Sequence, residues 1–381
     1  MKLSAIDENG KPVDWWFLYK VPKLTDSRGI GSVPSATGYE YVYYDPGVGK
    51  IALSGNKLGD GKGALDRTLD PVFAKPDATT GWILYNDEMP SSADRKDNGN
   101  LGHTKGVIVF DTDSKTAFWL LHSWPKYADP GESKMPTPMY GQTYMCISLD
   151  TDNAGKIAAQ MANHQQPQIY DPRIPPSLAK TDPLYRLTQP LDPKPAGDSD
   201  SLDFTSRGKL KFKVIAKNRE WGKDFWNDLV GPTLKEDMDV ETWIRGPIPP
   251  QLDSDGVHKT FDMKFIDLRP IGAKWAWPES KDHAKWGITK ADNWVCVGDI
   301  NRMISQERRG GGTIAFQDPK LWKFLKLTDN LIPPKGMSPA QAKAVIQETH
   351  GSPAATTVTS AAKSKTPPKS KAKPAAAAKG R

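Results

Sequence analysis
The sequence predicts an α/β chain of mixed sheets, organised as two strand-rich halves. Three observations lead there. Short segments dense in aromatic and β-branched residues alternate with Gly, Pro and Asp clusters, the punctuation of strands and turns. A proline-studded stretch from Gln166 to Ser201 separates two such regions. His-x-Lys occurs in each region, as His103-Thr104-Lys105 and His283-Ala284-Lys285, and each tripeptide leads into an apolar run.

Taken in order, residues 12–20, 39–44, 80–85 and 141–149 read as aromatic-rich strands of the first half. Residues 153–163 read as a helix, with Asp152 or Asn153 able to cap it. The following stretch carries eight prolines from Pro167 to Pro195 and reads as an irregular connection. Lys209 to Ile215 alternates polar and apolar residues, a period of two that marks a strand. A helix is expected near Trp221–Val230, and the second His-x-Lys region runs on to about Leu327. The chain therefore divides into a first half (1–165), a Pro-rich connection (166–205), a second half (206–330) and an Ala/Lys/Pro-rich tail (331–381).

A chain of 381 residues has ample mass to bury a core. No apolar run approaches the ~20 residues that span a bilayer, so no membrane role is expected. The first residues carry Asp7 and Glu8 where a signal peptide needs an apolar stretch, so a cytoplasmic or non-classically exported location is expected. The net charge of +7 is concentrated: residues 351–381 hold seven basic residues and no acid, and the remainder is balanced. That tail lacks aromatic residues and is expected to be disordered, a solvated terminus or a salt-sensitive arm for polyanions.

The two tripeptides carry the chemistry. A histidine and a lysine two residues apart on a strand share a face, so each half can aim an imidazole and an ammonium at one phosphate. Two such halves facing each other make a phosphodiesterase site that needs neither metal nor cofactor. From His103 the chain reaches His122 after nineteen residues, and from His283 it reaches Asn301 after eighteen; both lie at the end of an apolar strand and are expected to orient the phosphate or an imidazole. Arg302, Arg308 and Arg309, beside Gly310-Gly311-Gly312, are candidates for contacts to backbone phosphates of the substrate. A zinc site of His103, His122 and His283 is the rival reading, disfavoured because a lysine beside two of the three would repel a dication. Thirteen tryptophans could stack on bases, but in strands they read first as core.

Longer collinear segments resemble the deoxyribonuclease II family. They are Gly10–Trp16, Tyr19–Pro22, Gly102–Gly106, Phe118–Pro125, Tyr140–Thr143, Asp282–Trp286, Trp294–Arg302 and Arg309–Thr313, and they cover roughly residues 5–325. The resemblance implies a pseudo-dimeric phospholipase D-like fold in which two sheet-and-helix halves each supply one His-x-Lys motif. It further implies metal-independent cleavage of DNA, with 3′-phosphate and 5′-hydroxyl ends, by a homodimer that clamps the duplex. Ala284 stands where animal members carry a serine, and Ala5 and Ala315 stand where they carry cysteines, which would orphan Cys146 and Cys296. This points to a microbial-type member outside the lysosomal setting.

In such a site one histidine attacks phosphorus and forms a phosphohistidine. The other protonates the leaving oxygen and then activates water, while Lys105 and Lys285 neutralise the phosphate. His103 is the expected nucleophile and His283 the expected acid/base. Because one histidine must be neutral and the other protonated, an acid pH optimum is expected, at or below about 6.5. A phospholipid phosphodiesterase and a non-catalytic DNA-binding protein acting through its tail are the alternatives.

Overall fold
The computed structural model describes residues 2–25, 33–93, 98–130, 135–192, 197–245 and 257–330. The chain divides into two units, Met1–Gly351 and Ser352–Arg381, and everything described lies in the first. The basic tail expected over residues 331–381 lies outside the described residues.

A hairpin of β1 (Ala5–Ile6) and β2 (Pro12–Val13) precedes the first large sheet. That sheet comprises β3 (Trp15–Lys20), β4 (Tyr41–Tyr44), β5 (Ala52–Leu53), β6 (Thr80–Asn86), β7 (Lys105–Asp111), β8 (Thr116–His122), β9 (Gln142–Asp150) and β10 (Ile169–Arg173). Its order is β10-β6-β7-β8-β9-β3-β4-β5. The second sheet opens with β11 (Ser199–Thr205), β12 (Lys211–Lys217), β13 (Met238–Thr242) and β14 (Thr260–Asp262). β15 (Phe265–Asp267) and β16 (Ala276–Pro278) pair with the late strand β20 (Asp329–Asn330) in a small sheet. β17 (Lys285–Thr289), β18 (Trp294–Gly298) and β19 (Gly311–Gln317) complete the second sheet, whose order is β11-β12-β19-β18-β17-β13-β14.

The two sheets share a five-strand centre. In the first it runs β6-β7-β8-β9-β3 and in the second β13-β17-β18-β19-β12, antiparallel throughout, with equivalent strands in the same chain order. Each last hairpin strand runs directly into a helix: α2 (Thr151–Gln160) after β9, and α5 (Pro319–Thr328) after β19. Both are capped by the aspartate that precedes them, Asp150 accepting from Asn153 N and Asp318 from Lys320 N and Leu321 N. The outermost strands differ: β10 is antiparallel to β6, whereas β14 is parallel to β13.

Period-two patterning sorts the side chains into layers. Along β3, Trp15, Phe17 and Tyr19 join a central apolar layer with Trp286, Ile288, Val295 and Phe316 of the second sheet. Trp15 meets Phe316 at a ring separation of 5.0 Å, and Tyr19 meets Trp286 at 6.1 Å. The alternate residues Trp16 and Leu18 face outward onto Leu65, Leu69 and Val72 of α1 (Ala64–Ala74). On the far side Ile215, Cys296 and Ala315 are covered by Trp226, Val230 and Leu234. The tryptophans read as core are core: Trp15, Trp16 and Trp119 are fully buried.

Three elements depart from the reading of the sequence. Helix α1 was not anticipated, because Pro71 sits inside it and its start at Gly63 lacks a side-chain cap. The Pro-rich stretch is not wholly irregular. It forms edge strand β10, where Pro172 needs no outward ladder partner, then the short helix α3 (Pro183–Leu187) with Pro183 in its first turn, then edge strand β11. The helix expected near Trp221–Val230 is a π-turn over Trp226–Val230 that runs into α4 (Gly231–Leu234).

Candidate active site
Both His-x-Lys motifs stand at the head of a strand. β7 opens at Lys105 and β17 at Lys285, so each histidine lies in the extended residues just ahead of its strand. The residue between histidine and lysine turns the other way, and Ala284 is buried in the central apolar layer.

Each histidine is anchored to the opposite sheet. The backbone N–H of His103 donates to Gly310 O at 2.8 Å, and that of His283 donates to Gly141 O at 2.9 Å. The registers make these two contacts equivalent. Lys20 of β3 pairs with Gln142, the residue after Gly141; Lys217 of β12 pairs with Gly311, the residue after Gly310. Neither position admits a side chain: a Cβ on Gly310 would lie 2.3 Å from Gln165 O, and one on Gly141 would lie 2.4 Å from Asp282 Oδ2.

Equivalent positions around the two imidazoles hold unlike chemistry. Asn86 pairs with Lys105 and Thr242 with Lys285, so Asp87 and Trp243, one residue further on, correspond. Tyr140 and Arg309, which precede Gly141 and Gly310, correspond as well. Around His103 these positions supply Asp87 and Arg309. Asp87 Oδ2 lies 3.7 Å from His103 Nε2 and 3.2 Å from Arg309 Nη1, and its Oδ1 accepts from Lys105 Nζ. Around His283 they supply rings: Tyr140 stacks at 3.8 Å and 12°, and Trp243 lies tilted at 4.1 Å.

Tautomers follow from the partners. His103 Nδ1 faces the backbone oxygen of Asp299 at 2.6 Å. A carbonyl only accepts, so Nδ1 carries the proton and the lone pair is on Nε2. His283 Nε2 is buried with no hydrogen-bond partner among the described residues. Behind it Asp282 holds the motif in place, accepting from Ala284 N at 2.7 Å, Trp277 Nε1 at 2.7 Å and Tyr19 Oη at 2.5 Å.

Burial and crowded cations set the protonation states. Burial, then Lys285, Lys105 and His103, pull the His283 imidazole down to about 2. Burial likewise holds His103 well below its ordinary value, with Asp87 opposing and Lys105 and Lys285 assisting. Lys285 falls to about 7, chiefly by burial and then by the charge of Lys105. For Asp87 burial acts upward, but His103, Lys105 and Arg309 overcome it and keep the carboxylate well below its usual range. The site thus concentrates positive charge around two neutral imidazoles, an environment built to receive an anion.

The remaining expected residues separate. His122 is buried, accepts from Trp124 N at 3.2 Å through Nδ1, and stacks on Tyr144 at 5.7 Å. Burial and then Lys105 lower it to about 3. Asn301 is buried, and its Oδ1 has no partner among the described residues. They are not equivalent, however. Gly106 pairs with Leu121 and Trp286 with Val297, so one step further along each ladder sets His122 opposite Lys105 but Gly298 opposite Lys285. Their matched spacing comes from hairpins of different length, with β7 at seven residues and β17 at five.

Arg302 also needs correction as a DNA contact. It is 1% exposed, and its guanidinium is held by Asp224 at 2.8 Å and Asp262 at 2.6 Å, which makes it an internal ion pair. Arg308 is exposed, and Arg309 bonds to Asp87, Leu101 O and Gly102 O inside the site. Among the described residues, no group of three or more His, Cys, Asp or Glu is placed to hold a metal ion. Cys146 and Cys296 are free and buried, and Cys296 lies opposite Ala315 in its ladder.

Asp87, Tyr140, Trp243 and the Asp299 carbonyl are the site groups that sequence reasoning missed. Tyr140 and Asp299 carried a signal, lying within the family-like segments Tyr140–Thr143 and Trp294–Arg302.

The family model described as Deoxyribonuclease II matches residues 4–332. A Burkholderia pseudomallei protein named "Putative deoxyribonuclease-2" is 66% identical over 350 residues, 92% of this chain and 99% of that protein. Deoxyribonuclease-2-alpha of Rattus norvegicus is 32% identical over 85% of this chain and 92% of its own length. Cell death-related nuclease 6 of Caenorhabditis elegans is 33% identical over 86% of this chain and 88% of its own. Among solved structures, yeast tyrosyl-DNA phosphodiesterase superposes with a TM-score of 0.28 and 11% identity over 61% of this chain and 69% of that one, too distant to carry weight.

Proposed function
The chain belongs to the deoxyribonuclease II family and is a deoxyribonuclease, and from that premise we propose that it hydrolyses DNA phosphodiester bonds with its two His-x-Lys motifs and without a metal ion. One observation supports the reading: two His-x-Lys motifs head equivalent strands of two sheets, and the backbone N–H of each histidine bonds to the anchoring glycine of the opposite sheet. The shared strand order supports a pseudo-dimeric, phospholipase D-like arrangement, with the halves 1–165 and 206–330 joined by 166–205. The phospholipid and non-catalytic alternatives lose their ground with the family assignment.

His103 Nε2, its lone pair freed because Nδ1 donates to Asp299 O, attacks phosphorus. The P–O5′ bond breaks, O5′ takes its proton from His283, and the 3′-phosphoryl group stays on His103. Water then gives a proton to His283 and its oxygen to phosphorus, which frees a 3′-phosphate and restores the neutral His103 and the protonated His283. Lys105 and Lys285 neutralise the non-bridging oxygens throughout. Tyr140 and Trp243 favour the imidazolium form of His283 through their ring faces once phosphate is bound. As the resemblance implies, the substrate is taken to be duplex DNA and the enzyme a homodimer.

The test is plasmid cleavage at pH 5 in excess EDTA by wild type, His103→Ala and His283→Ala. Cleavage by wild type alone, leaving 3′-phosphate ends, is expected. Loss of wild-type cleavage in EDTA would overturn metal independence, and full activity in either variant would overturn the residue assignment.

A further inference from the structure
Two further lysines occupy equivalent places and are more deeply buried than the motif lysines. Lys20 closes β3 and Lys217 closes β12, and each is 0% exposed. Their equivalence rests on register: Lys20 pairs with Gln142 and Lys217 with Gly311, the positions already matched across the two sheets. A buried ammonium must be compensated, and here backbone oxygens do it. Lys20 Nζ donates to Tyr140 O at 2.6 Å, Gly38 O at 2.8 Å, Val21 O at 3.1 Å and Pro138 O at 3.3 Å. Lys217 Nζ donates to Arg309 O at 2.5 Å, Glu307 O at 2.9 Å and Gln306 O at 3.0 Å.

Each lysine makes its closest contact to equivalent residues, Tyr140 and Arg309. One peptide further on are Gly141 O and Gly310 O, which receive the backbone N–H of His283 and of His103. We propose that Lys20 and Lys217 are a repeat-related pair of positioning residues, each fixing the loop that anchors the reacting histidine of the other half. The pair forms a crossed brace: Lys20, in the first sheet, aligns His283 in the second, and Lys217, in the second sheet, aligns His103 in the first. The inference rests on the proposed roles of the two histidines.

The choice of lysine has a chemical reason. An ammonium offers three N–H groups and a charge, enough to gather three or four carbonyls from a loop that has no ladder of its own. A neutral amine offers two N–H groups and a lone pair that no carbonyl can satisfy. Burial pulls both ammonium groups down to about 7, with Asp282 and Glu40 opposing at Lys20 and Glu307 and Asp224 opposing at Lys217, where Arg309 adds to the lowering. The Trp124 ring, 5.1 Å from Lys20 Nζ, completes that ammonium's surroundings. The brace therefore loosens as the pH rises past neutrality, and it does so independently of the imidazoles.

Histidine-ring NMR of the full chain tests the brace, using Lys20→Met, Lys20→Gln, Lys217→Met and Lys217→Gln. Both Lys20 variants should displace the His283 ring signals and leave those of His103 in place; both Lys217 variants should do the reverse. The turnover number should fall about tenfold or more, with KM for DNA unchanged. Displacement of the same-half histidine, of both equally or of neither would overturn the proposal. Failure of all four variants to fold would also overturn it, by marking the lysines as general fold anchors. The outcome is separable from the catalytic reading. If His103→Ala kept full activity, that reading would fall, while the crossed pattern of shifts would still stand or fall by itself.

Discussion
One residue beyond β6 the first half places Asp87, and one residue beyond β13 the second half places Trp243. One residue before the anchoring glycine, the first sheet places Tyr140 and the second Arg309. Because the anchors cross over, His103 receives a carboxylate and a guanidinium, and His283 receives a phenol ring and an indole. The backbone framework is repeated, down to the hydrogen bonds Ser123 N to Thr143 O and Asp299 N to Gly312 O. The side chains on it have diverged. On the proposed reading, the repeated frame aims two imidazoles at one phosphate, and the divergence gives each imidazole its own task. A fixed tautomer with a free Nε2 suits attack, and a ring-stacked imidazole without a carboxylate partner suits proton donation that switches on with bound phosphate.

The largest effect that would break this comparison comes from changing the leaving group. On DNA, His283→Ala should lose about 10²–10⁴-fold in rate, the usual worth of a general acid, and His103→Ala at least as much. With a p-nitrophenyl ester of thymidine 3′-phosphate, whose leaving group needs no proton, the first step should recover in His283→Ala and stay lost in His103→Ala. A burst of p-nitrophenol measures it. Equal recovery in both variants would mean the two surroundings do not divide the labour.

A smaller effect concerns pH. Lys285 is held to about 7 by burial and by Lys105. Below that value it is an ammonium and above it an amine, so its hold on phosphate is present at acid pH and fades as pH rises through about 7. Because His283 must be protonated to act, its proton uptake adds a fall with rising pH that wild type and variant share, so the difference between the two profiles isolates Lys285. A pH profile of kcat/KM should decline above neutrality in wild type, and Lys285→Arg should carry that limb upward by more than one pH unit. An unmoved limb would assign it elsewhere.

Part of this was legible in the sequence. His103, Lys105, His283 and Lys285 stood out because a recurring tripeptide ahead of an apolar run needs no tertiary information, and the aromatic strands declared themselves by period two. Arg302 was misread because a charge beside a glycine run looks the same whether it faces solvent or Asp224 and Asp262. His122 and Asn301 were matched by counting along the chain, whereas equivalence is set across the ladder, and hairpins of unequal length part the two. Asp87, Trp243, Lys20 and Lys217 were invisible for the same reason: each acquires its role from a register between strands distant in sequence. Helix α1 was hidden by Pro71, which a strand-and-turn reading treats as a stop.

The division of labour between the halves is tested most directly by locating the covalent intermediate. Wild-type enzyme mixed with the p-nitrophenyl ester, quenched in alkali to preserve phosphohistidine, digested and sequenced by mass spectrometry should carry the nucleotidyl phosphate on the peptide containing His103. The same label on the peptide containing His283 would contradict the assignment and reverse the meaning of the two surroundings.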